Sequence, residues 1–171
     1  MERIRRIAPF FLFDHDPYLV VTDDGRMMWM LDGYTVTDRY PYSEPVRGFG
    51  SYNYMRNSVK VTVDAYHGTV TFYLADPTDP IIQAYSRAFA GLLRPLSEMP
   101  ADLHRHLRYP EDFFSIQARK YATYHMLDPQ VFFNREDTWA VPRRTVDGRD
   151  REMEPYYTIM RLPGEHQTEF V

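Results

Sequence analysis

An α+β fold, in which antiparallel β-hairpins pack with a block of three or four helices, follows from three features of this sequence. Between Ser58 and Ala75, apolar and polar residues alternate on both sides of a His-Gly turn, the pattern of a half-buried hairpin. Prolines 80, 100, 110 and 129 each open a segment carrying helix-start signals. The order runs hairpins, helices, then strand again, unlike the regular strand–helix alternation of a parallel sheet.

Taken in order, Glu2 to Ala8 reads as a short helix ended by Pro9. Tyr18 to Thr22 reads as a strand, Asp23-Asp24-Gly25 as its turn, and Arg26 to Thr37 as a longer returning strand. Asp38 to Asn57 is rich in Tyr, Pro, Gly, Ser and Asn and reads as a long irregular loop. In the second hairpin Val59, Val61 and Val63 share one face, with Lys60, Thr62 and Asp64 on the other. His67-Gly68 turns the chain, and Val70, Phe72 and Leu74 return along it. These six apolar residues should be largely buried, because one face of a half-buried strand must cover a core.

Asp79 can cap a helix with Pro80 in its first position, and Ile81, Ile82, Tyr85, Ala88, Phe89 and Leu92 continue it at helical spacing. Pro100 and Pro110 repeat the device, with Asp102 and then Glu111 and Asp112 complementing the helix dipole. Pro110 to His125 reads as the longest helix, with Phe113, Ile116, Tyr121 and Tyr124 as its core stripe. Asp128-Pro129 opens one more turn through Val131, Phe132 and Phe133. The charged stretch Arg143 to Glu154 contains Asp147-Gly148 and reads as an exposed turn or mobile loop. Tyr156 to Leu162 reads as a strand, and Glu169-Phe170-Val171 as the opening of another. No break forces a division, so residues 1–171 are expected to form one domain or part of a larger one.

Composition narrows the function classes. With 44% hydrophobic and 16% aromatic residues, the chain carries too much apolar matter for a disordered segment and should fold. Lys and Arg number 20 against 24 Asp and Glu, a net charge of −4 that gives no electrostatic reason to bind nucleic acid. The absence of Cys excludes disulfides, thiolate catalysis, zinc ribbons and iron–sulfur clusters. No run approaches the roughly 20 apolar residues of a membrane helix, and the charged start Met1-Glu2-Arg3-Ile4-Arg5-Arg6 is not followed by a signal-peptide core.

Motifs for phosphate-cradling loops, nucleophile elbows and paired-histidine zinc helices are absent from the sequence. Three clusters remain. Asp14-His15-Asp16, with Asp23 and Asp24 nearby, offers oxygen ligands for Ca²⁺ or forms an acidic solvated turn. His104, His106 and His125 offer imidazoles, but 104 and 106 point to different helix faces; the alternative is a set of partly exposed surface histidines. The third is the aromatic and polar loop holding Arg39, Tyr40, Tyr42, Tyr52, Asn53, Tyr54, Arg56 and Asn57. Amphipathic rings beside directional donors suit a glycan or peptide groove. Equally, they can tie the loop down through its own rings and bonds to backbone groups.

The run Arg56-Asn57-Ser58-Val59-Lys60-Val61-Thr62-Val63-Asp64-Ala65-Tyr66-His67-Gly68-Thr69-Val70 resembles the bacterial uncharacterised protein family 0182. Tyr40-Pro41-Tyr42-Ser43, Pro95 to Pro100, His106 to Asp112, Phe133 to Trp139 and Tyr156 to Glu165 extend the resemblance over nearly the whole chain, in order. It implies a parent protein with several N-terminal membrane helices followed by a large domain outside the cytoplasmic membrane, of which this chain resembles a middle section. The family carries no assigned activity, so no residue inherits a catalytic role. The expectation is a non-catalytic extracytoplasmic module that folds or binds on behalf of its parent, with the membrane-embedded remainder as partner. No nucleic acid, cofactor or metal is expected. The competing reading is an envelope hydrolase or metal-dependent enzyme using the acids near Asp14 to Asp24 or the histidines.

Overall fold

The computed structural model describes residues 1–45 and 48–171; Val46 and Arg47, within the loop expected over Asp38–Asn57, lie outside the described residues. The chain divides into two compact units, residues 1–113 and 114–171. No described helix is long and apolar enough to cross a membrane.

Unit 1 is built on a six-stranded sheet of β1 (Leu12–Phe13), β2 (Tyr18–Val21), β3 (Met27–Thr37), β4 (Tyr54–Asp64), β5 (Val70–Leu74) and β6 (Leu93–Pro95). The order is β1-β3-β4-β5-β6, and β2 also pairs with β3. Every pairing is antiparallel except β5 with β6, which run parallel. That pair departs from a fully antiparallel sheet because α2 (Pro80–Ala88) lies between the two strands, and a crossover helix returns the chain in the same direction. The whole remains α+β.

The β2–β3 hairpin is the one expected from the Asp23-Asp24-Gly25 turn and the β4–β5 hairpin the one expected from the alternation, with one correction. β4 begins at Tyr54, not Ser58: Tyr54, Met55 and Arg56 pair with Thr37, Val36 and Thr35. The polar composition of this stretch hid the strand, and the register shifts between Gly33 and Thr35 where it joins the regular ladder. Gly33 suits the place, since a Cβ there would stand 3.2 Å from the Val59 Cβ and 3.4 Å from the Phe13 ring. A side chain there would push Val59 or Phe13 aside by a few tenths of an ångström, so glycine eases the close approach of β1 to β3.

Both faces of the sheet are covered. One face packs Leu31, Val59, Val61 and Phe72 against Ile4 of α1 (Glu2–Ile7), Phe11, Phe13 and Ile82 of α2. Val63, Val70 and Leu74 are half-buried against the same cluster. Tyr18, Val20, Met30, Tyr73, Met99 and Leu103 form a second cluster, to which α3 (Ala101–His104) contributes Leu103. Lys60, Thr62 and Asp64, polar by sequence, are therefore buried too. Each fully buried aliphatic or aromatic side chain in these clusters contributes about 1.5–3 kcal/mol.

The longest helix, α4 (Glu111–Tyr124), starts one residue after Pro110, and Phe113 is half-buried with its ring 6.0 Å from that of Tyr34. The expected core stripe fails further along: Tyr121 is 61% exposed and Tyr124 is exposed as well. Helical spacing of apolar residues marks a face that needs cover; it does not supply the cover.

Unit 2 continues with α5 (Pro129–Asn134), capped by Asp128 as expected. The stretch expected as an exposed turn or loop over Arg143–Glu154 is instead a hairpin of β7 (Arg143–Val146) and β8 (Arg149–Glu152). Asp147 and Gly148 turn it with φ of 52° and 72°, the two positive values of a type I′ turn. Its charge hid a hairpin that the Asp-Gly pair encodes. The strand expected over Tyr156–Leu162 shrinks to β9 (Ile159–Met160), because its partner β10 (Glu169–Phe170) offers a ladder of two residues. Among the residues of unit 2, Met126 alone is buried.

Candidate functional site

The densest group of ionisable side chains in unit 1 forms where the chain leaves β1. The Asp14 N–H donates to the Asp32 carbonyl at 3.0 Å, which turns the Asp14 carboxylate inward to 2% exposure. Its Oδ1 accepts the Asp16 N–H at 2.9 Å. Its Oδ2 accepts the Tyr34 hydroxyl and, at 3.2 Å, the Asp112 N–H in the first turn of α4. An aspartate 98 residues away thus serves an N–H that a helix start leaves unpaired. The Asp112 carboxylate answers it, accepting the His15 N–H at 3.2 Å and standing 2.7 Å from His15 Nδ1. Glu111 approaches His15 Nε2 at 3.8 Å.

Charge crowding shows in the titration of these groups. Burial pushes the Asp112 carboxyl up, and the Asp14 charge adds to it. Burial and the Asp16 charge push Glu111 up. Partial burial works to lower His15, but the charge and hydrogen bond of Asp112, with Asp14 and Glu111 behind them, outweigh it and raise the imidazole above 6.5. Burial, then the bond to Asp14, holds the Tyr34 phenol protonated as a donor. Asp14, His15 and Asp112 offer one nitrogen and two oxygens within 4.8 Å of one another, a donor set that suits a divalent cation.

Buried carboxylates also stand at Asp32 on β3 and at Asp79, at the start of α2. Asp32 pairs with the Lys60 ammonium and accepts Asn57 Nδ2 at 2.9 Å, while Lys60 Nζ also donates to the Arg108 carbonyl at 3.1 Å. Burial pushes the Asp32 carboxyl up against the pull of Lys60 and Asn57. Asp79 caps α2 by accepting the N–H groups of Ile81 at 3.1 Å and Ile82 at 3.3 Å. It also accepts the hydroxyls of Thr35, Ser58 and Tyr54, at 2.5, 2.7 and 2.7 Å. Burial works to raise Asp79, but these donors win and hold it below the usual carboxylate range. The Tyr54 phenol is pushed up to about 12 by burial and by its bond to Asp79.

The aromatic loop divides. Asn53 staples it, its amide contacting the backbone of Tyr40 and Ser43 at 2.8–3.1 Å. The Tyr40 and Tyr54 rings stack with centroids 5.4 Å apart. Tyr54, Arg56 and Asn57 are directed to Asp79, Asp76 and Asp32. Arg39, Tyr40, Tyr42 and Tyr52 remain exposed.

Asp23 and Asp24 do not join Asp14. Asp23 pairs with Arg105 at 2.7 Å, and Asp24 takes the Thr22 hydroxyl inside the turn. His104 and His106 are exposed and belong to no ligand group among the described residues. His125 is partly exposed, the alternative offered for it, but one side of its ring is covered. Its ring stacks on Trp139 with centroids 3.8 Å apart, because Trp139 folds back onto the end of α4 within unit 2. Sequence reading missed Tyr34, Asp32, Lys60 and Asp112 as interacting groups. One signal was available: an acid at 32 inside the apolar run of β3 requires a partner.

The family described as "Uncharacterised protein family (UPF0182)" matches residues 1–171. The chain is 55% identical over 170 residues to a UPF0182 protein of Desulforamulus reducens, covering 99% of this chain and 18% of that protein. It is 53% identical over 175 residues to one of Methanospirillum hungatei, covering 100% of this chain and 19% of that protein. A UPF0182 protein of Geobacter sulfurreducens is 55% identical over 170 residues, with 99% and 18% covered. The chain thus spans about a fifth of the length of the curated relatives it matches. No solved structure matches it.

Proposed function

This chain belongs to the uncharacterised protein family UPF0182, as a segment of a larger protein, and we propose that it is a non-catalytic module of its parent, positioned outside the cytoplasmic membrane. The observation that carries the reading is the use made of the buried acids. Asp14, Asp32 and Asp79 all direct their oxygens to donors of the fold itself, and so brace elements together. A catalytic centre needs an acid, base or nucleophile with a reacting atom within reach. The module's partner in this reading is the membrane-embedded remainder of the parent, and the exposed Arg39, Tyr40, Tyr42 and Tyr52 are its surface for a further envelope partner.

The sidedness test uses the absence of cysteine from this segment. A Tyr66→Cys variant of the full-length parent, with other thiols replaced, is exposed in intact cells to a membrane-impermeant maleimide. Labelling without permeabilisation is expected. Labelling only after lysis overturns the proposal.

A metal-dependent enzyme is the second reading, favoured by the approach of Asp14, His15 and Asp112. Melting with and without chelator separates the two. The structural reading expects unchanged midpoints; a drop of several degrees, restored by zinc or calcium, supports the metal reading.

A further inference from the structure

We propose that the exposed apolar side chains of unit 2, with its groove, are an intramolecular docking surface, covered in the parent protein by polypeptide from outside these 171 residues. The proposal rests on the reading of this chain as a segment of a longer protein. Unit 2 has well-formed elements and almost no interior: Leu127 is 94% exposed, Phe133 85% and Ile159 72%, with Met126 alone buried. Tyr121, Trp139, Pro142 and Met153 wall an apolar groove of 370 Å³. Its sheets are a lone two-stranded hairpin and a ladder of two-residue strands. Such pairs are marginal in water without a third layer, and a unit this small cannot offset its chain entropy on one buried side chain.

The occupant follows from length and charge. The relatives match this chain end to end, yet about four-fifths of each lies elsewhere, so covering chain is present in the same molecule. A tethered segment outcompetes a separate partner through its effective concentration. A membrane surface fits less well. The stretch Arg143–Glu154 beside the groove carries four Arg against four acids, without the basic excess that draws a protein to anionic lipid. The covering segment presents aliphatic or aromatic side chains to the groove.

The test measures maleimide reaction rates of Phe133→Cys and Ile159→Cys in the detergent-solubilised full-length protein, with Tyr66→Cys as the open reference. Solubilisation gives reagent access from both sides, so the outcome is independent of membrane sidedness. Both cysteines should react about tenfold or more slower than the reference in the full-length protein, at every protein concentration. In the 171-residue chain all three should react at comparable rates. Hydrogen exchange on the unsubstituted proteins provides a second measurement, with residues 126–139 protected only at full length. Equal rates at full length overturn the proposal, as does protection lost on dilution, which marks a second copy. Protection lost on changing detergent marks lipid, and protection already present in the 171-residue chain places the cover within it; either also overturns the proposal.

Discussion

An aspartate–proline pair opens a helix in each unit, and the two helices meet different fates. Asp79 caps α2 through the Ile81 and Ile82 N–H groups, gathers three side-chain hydroxyls as well, and the helix inserts a fully buried Ile82. Asp128 caps α5 through Gln130 and Val131 N–H at 2.8 and 3.2 Å, yet no residue of that helix is buried. Local chemistry makes the same element twice. Only strands 20 to 45 residues away, carrying Thr35, Ser58 and Tyr54, turn the first into part of a core. A helix start is a local property; burial is not.

The contrast can be broken most forcefully at Lys60. Lys60→Met leaves the Asp32 carboxylate buried beside Asn57 alone, at an expected cost of about 3–5 kcal/mol in denaturant unfolding of unit 1. Adding Asp32→Asn should recover more than half of that, because the uncompensated charge is gone. A loss below about 1 kcal/mol for the single variant would mean the pair behaves like a surface ion pair. Asp79→Ala comes next, at about 3 kcal/mol, since it removes a cap and the shared acceptor of the buried Thr35 and Ser58 hydroxyls, which keep only their bond to each other and a long one to the Arg56 carbonyl. Asp128→Ala in unit 2 should cost no more than about 1 kcal/mol, the value of a cap alone. Similar losses at both sites would erase the difference between the units.

Along α4 the comparison sharpens to a single helix. Phe113→Ala should cost about 2 kcal/mol, through lost burial and ring contact with Tyr34. Tyr121→Ala in the 171-residue chain should cost under about 0.5 kcal/mol, because that ring is already largely in water.

The smallest expected effect is a pH dependence at His15. Its folded-state value is raised, so its contribution is fully present below the unfolded value of 6.5 and is lost as pH rises through the folded value. Thermal midpoints of unit 1 should therefore fall slightly from about pH 6 to 8, and His15→Gln should flatten that slope. An unchanged slope in the variant would assign the titration to another group.

What could be read from sequence was what neighbouring residues decide. The β4–β5 hairpin was legible from valines alternating about a glycine turn, and α2 and α5 from Asp-Pro starts. Lys60 and Thr62 looked solvent-facing because polarity is a poor guide to exposure once a sheet is covered on both sides. The β7–β8 hairpin was missed for the same reason in reverse, since charged strands around Asp147-Gly148 imitate a loop. Of the candidate site, Asp14 and His15 were legible as a local acidic group. Their counterpart Asp112 was not, because the bond spans 98 residues and no local rule encodes it. In the aromatic loop, composition could not tell Asn53, used as a staple, from Tyr42, left to solvent.

The borders of the six-stranded sheet carry a different consequence. Along one side β3 is shared between a two-residue β1 and a four-residue β2, and the opposite side ends in the three-residue β6, closed by Pro95. Neither margin presents a long row of unused amide and carbonyl groups, and proline removes a donor from one of them. Filament growth by adding strand to strand needs such a row as its template. When many copies crowd together, this sheet should therefore be a poor template for strand-to-strand propagation.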